Sequence, residues 1–175
     1  MNGTLTLRNR HRARRVDLRR LRRITQALLR DTQPDGGFEL GVCLVAAPEM
    51  TRLNETFLQH QGSTDVITFN YREAPGQPAL HGEIYVCLDE AASQARRFHT
   101  TWQSELVRYV VHGVLHLLGY DDRAARARRR MKAAEDALVR RLAREFGFRA
   151  LSSPRTGSQT RQRNGIGKRQ NSSKT

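Results

Sequence analysis

The sequence predicts an α/β fold in which a small β-sheet of about four strands packs with helices around one hydrophobic core. Four short segments are rich in β-branched, aromatic or other apolar residues, a composition that is typical of strands. Longer segments have apolar residues at helical spacing and therefore predict helices. A chain of 175 residues is long enough for one domain and a tail.

The predicted strands all lie in the first half of the chain. Pro34–Gly37 predicts a turn before the second strand, and proline and glycine at Pro75, Gly76 and Pro78 predict a loop before the last one. The expected strands are Leu5–Leu7, Phe38–Ala46, Asp65–Phe69 and His81–Leu88.

Five helices are predicted between and after these strands. Asp17 lies near the expected start of the first helix, and Asp89 is expected to cap the third. Thr100 and Gln103 have the spacing of a capping box for the fourth helix, whose many valines and leucines predict that it is substantially buried. The other expected bounds are Pro48 to about Phe57, Glu90–Phe98 and Arg123–Phe146.

The charge of the chain is unevenly distributed, although its net value is +14. Residues 1–30 carry ten arginines and one acid, whereas residues 31–122 carry thirteen acids and five arginines. Basic ends of this kind attract polyanions such as nucleic acid, and the alternative is that the arginines are simply solvated helix faces. Residues 1–151 are expected to form the single domain, and the polar, basic residues 152–175 a disordered tail.

The apolar segments are too short to predict a membrane span, and the first thirty residues lack the apolar centre of a secretory signal. A cytoplasmic protein without a membrane partner is therefore expected. Cys43 and Cys87 lie in apolar segments and lack the spacing of a paired metal ligand, which favours free, buried thiols over a disulfide.

The chemistry is concentrated in one segment, from His112 to Asp122. Histidines at i and i+4 project from the same helix face, so His112 and His116 can share a metal ion such as zinc. Gly119 can end the helix in a left-handed turn and bring Tyr120, Asp121 or Asp122 back toward that ion. The alternative is that both histidines are hydrogen-bonded core residues and that the aspartates cap the next helix.

This segment resembles the YbeY family of bacterial endoribonucleases, whose pattern H-G-x-L-H-L-x-G-Y-D-H is matched from His112 to Asp121. The resemblance covers about residues 40–148. It also includes Leu53-Asn54, the segment Thr64–Phe69, the segment Gly82–Ile84 and Gln94-Ala95. The resemblance implies a compact fold in which helices pack around a small mixed sheet, with the metal-binding helix in the core and the metal at one end of a cleft.

The resemblance also implies a function. Members are metal-dependent endoribonucleases, so this chain is expected to cleave single-stranded RNA. Its expected roles are ribosomal RNA processing, at the 3′ end of 16S ribosomal RNA, and ribosome quality control, with the small ribosomal subunit as partner. Two positions depart from the family pattern: Asp122 stands where the third ligand is a histidine, and Leu58 stands where an arginine follows the aromatic residue. Two histidines and a carboxylate can still bind one Zn²⁺, with a modest shift toward harder metals such as Mn²⁺.

The sequence leaves open the identity of the general base and the class of protein. Gly113 occupies the position at which H-E-x-x-H peptidases have their general base, so Asp121 is the nearest candidate base, with capping or support of a ligand as its alternative roles. A catalytically weakened, ribosome-associated RNA-binding protein is the main rival to a ribonuclease. A small zinc-dependent peptidase is the weaker rival, because the glutamate after His112 is absent.

Overall fold

A four-stranded mixed sheet forms the centre of the computed structural model, which describes residues 3–33, 37–72 and 78–152. The strand order is β1-β2-β4-β3, in which β1, β2 and β4 are parallel and β3 is antiparallel to β4. The predicted α/β fold class and the number of strands are thus confirmed. The strands are β1 Gly3–Asn9, β2 Phe38–Val45, β3 Val66–Asn70 and β4 Leu80–Cys87.

The five predicted helices are all present in the described residues. The second is followed directly by a π-helical turn, Asn54–Leu58, and the last by a 3₁₀ turn, Phe148–Leu151. The α-helices are α1 Leu18–Thr32, α2 Ala47–Leu53, α3 Leu88–Arg97, α4 Trp102–Leu117 and α5 Ala125–Phe146.

Successive residues of each strand point to opposite faces of the sheet, and the two faces have different coverings. Leu44 of β2 and Ile84 of β4 belong to the large core cluster, to which α1, α4 and α5 also contribute. Val45 and Cys87 point the other way and form a smaller cluster with Met50 of α2. The site-bearing helix α4 therefore lies within the main core.

A close contact between α4 and β4 requires glycine at Gly113. A Cβ atom at this position would lie 2.7 Å from Cγ2 of Ile84, which is closer than real Cβ contacts allow. Ile84 is fully buried, so it has little space into which to move. The absence of a side chain at Gly113 thus allows α4 to lie directly against the sheet and sets the position of the helix face that carries the histidines.

Two of the expected helix caps differ from the structure. Asp17 lies at the start of α1, as predicted, and is its N-cap, because its side chain accepts a hydrogen bond from the Arg20 backbone N–H (3.0 Å). The prediction for Asp89 is wrong, because α3 already begins at Leu88 and the Asp89 carboxylate instead accepts hydrogen bonds from the Ala47 backbone N–H (2.8 Å) and from His11 Nε2 (3.0 Å).

The capping box predicted at Thr100 is one residue too early. The α4 cap is Thr101, whose hydroxyl accepts a hydrogen bond from the Ser104 backbone N–H (3.2 Å), whereas the Thr100 hydroxyl donates to Glu105. Cys87 is buried and Cys43 half-buried, and both are free thiols as predicted.

Some of the sequence-based expectations lie outside the described residues: the tail from residue 153 onward, residues 34–36 of the expected turn, and Pro75 and Gly76. Within the described ranges, each helix is either too short or too polar to traverse a lipid bilayer.

Candidate metal centre

His112 and His116 share one face of α4, as their spacing predicts. Their Nε2 atoms lie 3.0 Å apart, and their rings meet at 77° with centroids 4.6 Å apart. About a quarter of each side chain is exposed (26% and 27%), although the same helix buries most of its other residues. The two imidazoles therefore border the core and remain accessible to an ion from solvent.

The loop after α4 brings Asp122 to these histidines. Leu118 is the C-cap, Gly119 has a φ of +88°, and the Tyr120 backbone N–H donates back to the Leu115 carbonyl (3.0 Å). This left-handed turn reverses the chain, as predicted for Gly119. As a result, an Asp122 oxygen lies 3.8 Å from His116 Nε2, and one ligand atom each of His112, His116 and Asp122 all lie within 4.8 Å of one another.

The partners of the two Nδ1 atoms determine where the imidazole hydrogens lie. His112 Nδ1 is 2.9 Å from Glu135 Oε2, and His116 Nδ1 is 3.1 Å from the Tyr120 carbonyl oxygen. A carboxylate and a carbonyl can only accept hydrogen bonds, so both Nδ1 atoms carry the hydrogen in these contacts. Both Nε2 atoms then present lone pairs to the same space.

Glu135 is ionised in this environment. Burial of its carboxylate raises the pKa, but hydrogen bonds from His112, Arg108 and Lys132, together with the charge of Lys132, outweigh the burial and lower the pKa to about 2. Arg108 is itself held by Glu135 and Asp136. His112 is thus supported by a fixed negative charge.

The three donor groups fit a divalent cation. Two imidazole lone pairs and one carboxylate oxygen converge without a hydrogen between them, an arrangement that a positive ion satisfies. Two histidines and a carboxylate are a known ligand set for zinc, and three protein ligands leave a position for water or substrate. A core histidine pair would not need this convergence of three acceptors.

Asp121 is in the same loop but is not one of the three converging groups. Its Oδ1 accepts a hydrogen bond from the Arg123 backbone N–H (3.1 Å), and its side chain is exposed. This contact stabilises the loop between α4 and α5 in the manner of an Asx turn.

Sequence reasoning missed Glu135, which lies 23 residues beyond His112. A signal was present: Glu135 falls on the same face of α5 as the buried residues Met131, Val139 and Leu142. An acid on an otherwise apolar helix face is costly unless it has partners, so it marks a specific interaction.

Leu58 lies at the end of the π-helical turn with 43% of its surface exposed. The neighbouring Phe57 is 60% exposed and packs edge-on against Phe69, with ring centroids 5.3 Å apart. The position at which the family pattern has an arginine is therefore apolar and accessible.

Comparison with known proteins agrees with this geometry. The family model for the endoribonuclease YbeY matches residues 6–143. The chain belongs to the YbeY family. An endoribonuclease YbeY from Salinibacter ruber is 36% identical over 138 residues, which are 75% of this chain and 87% of that protein. Another, from Syntrophotalea carbinolica, is 34% identical over 150 residues, which are 82% of this chain and 99% of that protein.

A solved structure has a similar fold. The solution structure of a Thermotoga maritima protein matches with a TM-score of 0.61 and 25% identity, covering 88% of this chain and 99% of that one. YbeY membership supports a nuclease that hydrolyses RNA and implies ribosomal RNA processing. It also counts against the peptidase that the two histidines alone would allow.

Proposed function

We propose that this YbeY protein is a single-strand-specific, metal-dependent endoribonuclease that acts in the cytoplasm on ribosomal RNA. Its proposed tasks are maturation of the 16S ribosomal RNA 3′ end and ribosome quality control, with the small ribosomal subunit as partner. The proposal rests on one observation above all: in a member of an endoribonuclease family, ligand atoms of His112, His116 and Asp122 lie within 4.8 Å of one another.

We propose one Zn²⁺ as the cofactor, held by His112, His116 and Asp122, with Mn²⁺ as the harder alternative. When bound, such an ion supplies Lewis-acid chemistry, which polarises a phosphate oxygen or acidifies water. A carboxylate ligand leaves less positive charge on the ion than a third imidazole would. Asp122 should therefore lower the catalytic power of the site without preventing binding.

The protein groups around the ligands supply orientation. Glu135 and the Tyr120 carbonyl accept from the two Nδ1 atoms and so direct both Nε2 lone pairs inward. Gly113 occupies the position at which H-E-x-x-H peptidases have their general base, so a base here must come from elsewhere. Asp121 is the nearest alternative base, yet its hydrogen bond to Arg123 favours a role in shaping the loop.

A basic cavity lies beside the loop between α4 and α5 that carries Asp122, here called the ligand loop, and is suited to the RNA strand. Tyr120, Asp121, Arg126 and Arg130 contribute to its lining, and the Arg130 guanidinium lies 5.6 Å from the centroid of the Tyr120 ring. Arginine can bind phosphates, and an aromatic ring can stack on an unpaired base. These arginines would supply the phosphate contact that Leu58 cannot make.

The main rival is an RNA-binding protein in which Asp122 and Leu58 have cost most of the activity. The test is to measure bound metal in the purified protein and to incubate it with single-stranded RNA, duplex RNA and casein, alongside a His112→Ala/His116→Ala variant. We expect metal-dependent cleavage of single-stranded RNA alone. Metal binding without RNA cleavage would favour the RNA-binding protein, and cleavage of casein would favour a peptidase. RNA cleavage that persists in the double variant would show that this site is not the source of the activity.

A further inference from the structure

Glu135 is a buried acid whose surroundings call for a functional explanation. Only 5% of its surface is exposed, and it projects from the face of α5 that packs on α4. Burying a carboxylate costs free energy unless it is paired and hydrogen-bonded. The partners that offset this cost show what the carboxylate holds in place.

The two oxygens of Glu135 have different partners. Oε2 accepts the hydrogen bond from His112 Nδ1, whereas Oε1 accepts hydrogen bonds from Arg108 and from Lys132 (3.1 Å). The carboxylate cannot rotate without breaking one of these contacts. Arg108 and Lys132 thus fix the orientation of Glu135, and Glu135 in turn fixes the ring of His112.

We propose that Glu135 is a positioning residue that keeps His112 in the Nδ1–H tautomer and directs its Nε2 atom toward the metal. This inference rests on the metal site in the proposed function and adds a residue that the family match does not assign. Glu135 acts through His112 and is not itself a ligand.

The remaining neighbours explain why the tautomer depends on Glu135. Arg108 and Lys132 can only donate hydrogen bonds. If the carboxylate were removed, His112 Nδ1 would face donors and would accept a hydrogen bond through its lone pair. The hydrogen would then favour Nε2, the atom that faces His116, and metal binding would have to displace it. Loss of such a partner typically weakens metal affinity by about 10–100-fold.

Asp136 provides a matched control. It follows Glu135 in α5 and is also bound by Arg108 (2.7 Å) and Lys132 (3.2 Å), but the hydrogen bond to His112 comes from Glu135. Glu135→Gln and Asp136→Asn each remove one negative charge from the same network. They differ in whether the contact with the ligand histidine is affected. Glutamine has a single acceptor oxygen, so it cannot serve His112 and the two cations together.

The experiment uses the full chain after removal of bound metal. Zn²⁺ and Mn²⁺ affinities are measured by competition with a chelating indicator, and ¹⁵N NMR of the imidazoles reports the tautomer of His112 in the metal-free protein. We expect Glu135→Gln to weaken metal affinity by about 10–100-fold and to lower the Nδ1–H population of His112. Asp136→Asn should leave both close to the wild-type values.

Three outcomes would overturn the inference: wild-type affinity in folded Glu135→Gln, an equal loss in Asp136→Asn, or an Nε2–H tautomer at His112 in the wild-type protein. The last measurement needs no variant, so it decides the matter even if Glu135→Gln fails to fold. RNA cleavage is not a readout here. A wild-type protein that binds metal in a Glu135-dependent way but does not cut RNA would therefore refute the proposed function and leave this inference standing.

Discussion

His112 and His116 face each other through Nε2 atoms 3.0 Å apart, while each Nδ1 atom is engaged by an acceptor on its other side. Neither ring can place a hydrogen between the two Nε2 atoms without giving up its Nδ1 contact or becoming charged. A divalent cation relieves the repulsion of the two lone pairs and uses both of them. The pair is thus suited to an ion even without a contribution from Asp122.

The identity of the third ligand should set the choice of metal. We expect Asp122→His to raise the ratio of Zn²⁺ to Mn²⁺ affinity, because imidazole is a softer ligand than carboxylate. Asp122→Ala should weaken the binding of both metals. Competition titrations of the two ions against one indicator measure the ratio, and an unchanged ratio in Asp122→His would mean that residue 122 does not contact the ion.

The role of Asp121 can be separated from general-base catalysis by two substitutions. Asp121→Asn keeps an oxygen that accepts from the Arg123 N–H but cannot take up a proton, whereas Asp121→Ala loses both abilities. We expect Asp121→Asn to retain most of the cleavage rate and Asp121→Ala to lose more. A loss of about 100-fold or more in kcat for both variants would instead identify Asp121 as the base.

The sequence alone predicts the parts of the site that depend on local backbone geometry. The i, i+4 spacing predicts the histidine pair, and Gly119 predicts the reversal that brings Asp122 back, because both depend on local backbone geometry. Glu135 was missed, because its contact with His112 depends on the packing of α5 against α4. For the same reason the spacing of strands along the chain did not give the order β1-β2-β4-β3. Asp89 was misassigned as a cap because its partners, His11 and Ala47, lie far away in the sequence.

The close packing of α4 on the sheet predicts a specific pair of compensating mutations. Gly113→Ala places a methyl group against Ile84 and should destabilise the fold by about 1–3 kcal/mol, as overpacking usually does. Adding Ile84→Ala removes the clashing atoms, so the double variant should lose less stability than the sum of the two single variants. Urea unfolding of all four proteins measures this coupling. Additive losses would show that the contact with Ile84 does not cause the destabilisation by Gly113→Ala.

The basic cavity beside the ligand loop should contribute to RNA affinity. We expect Arg126→Ala/Arg130→Ala to weaken binding of a single-stranded oligonucleotide in the absence of metal and to reduce the dependence of affinity on salt. Arg140→Ala/Arg144→Ala removes the same charge at the same i, i+4 spacing near the other end of α5. Fluorescence anisotropy compares the two variants, and equal losses would indicate a diffuse charge effect without a specific cavity.

The contact between Asp89 and His11 should make the free energy of unfolding depend on pH in the acidic range. Burial raises the Asp89 pKa, but hydrogen bonds from the Ala47 N–H and His11, together with nearby positive charge, outweigh it and lower the pKa below its ordinary value. A carboxyl group with a lowered pKa stabilises the folded state above its unfolded pKa of about 3.9. That contribution disappears as the pH falls through the folded pKa.

The matching variant is Asp89→Asn. It should be less stable than the wild type at neutral pH, and the difference should shrink as the pH falls below about 4, since both proteins then lack the charge. Urea unfolding across this range checks the prediction. A difference that stays constant with pH would mean that the contact stabilises the fold without its charge.

Metal-dependent RNA cleavage at the His112–His116 site is tested most directly by the amount of metal that restores cleavage of single-stranded RNA to metal-stripped protein. We expect activity to rise linearly with added Zn²⁺ or Mn²⁺ up to one ion per chain, and His112→Ala/His116→Ala to stay inactive at any amount. Cleavage by the stripped protein, or full restoration of the double variant by metal, would contradict this expectation.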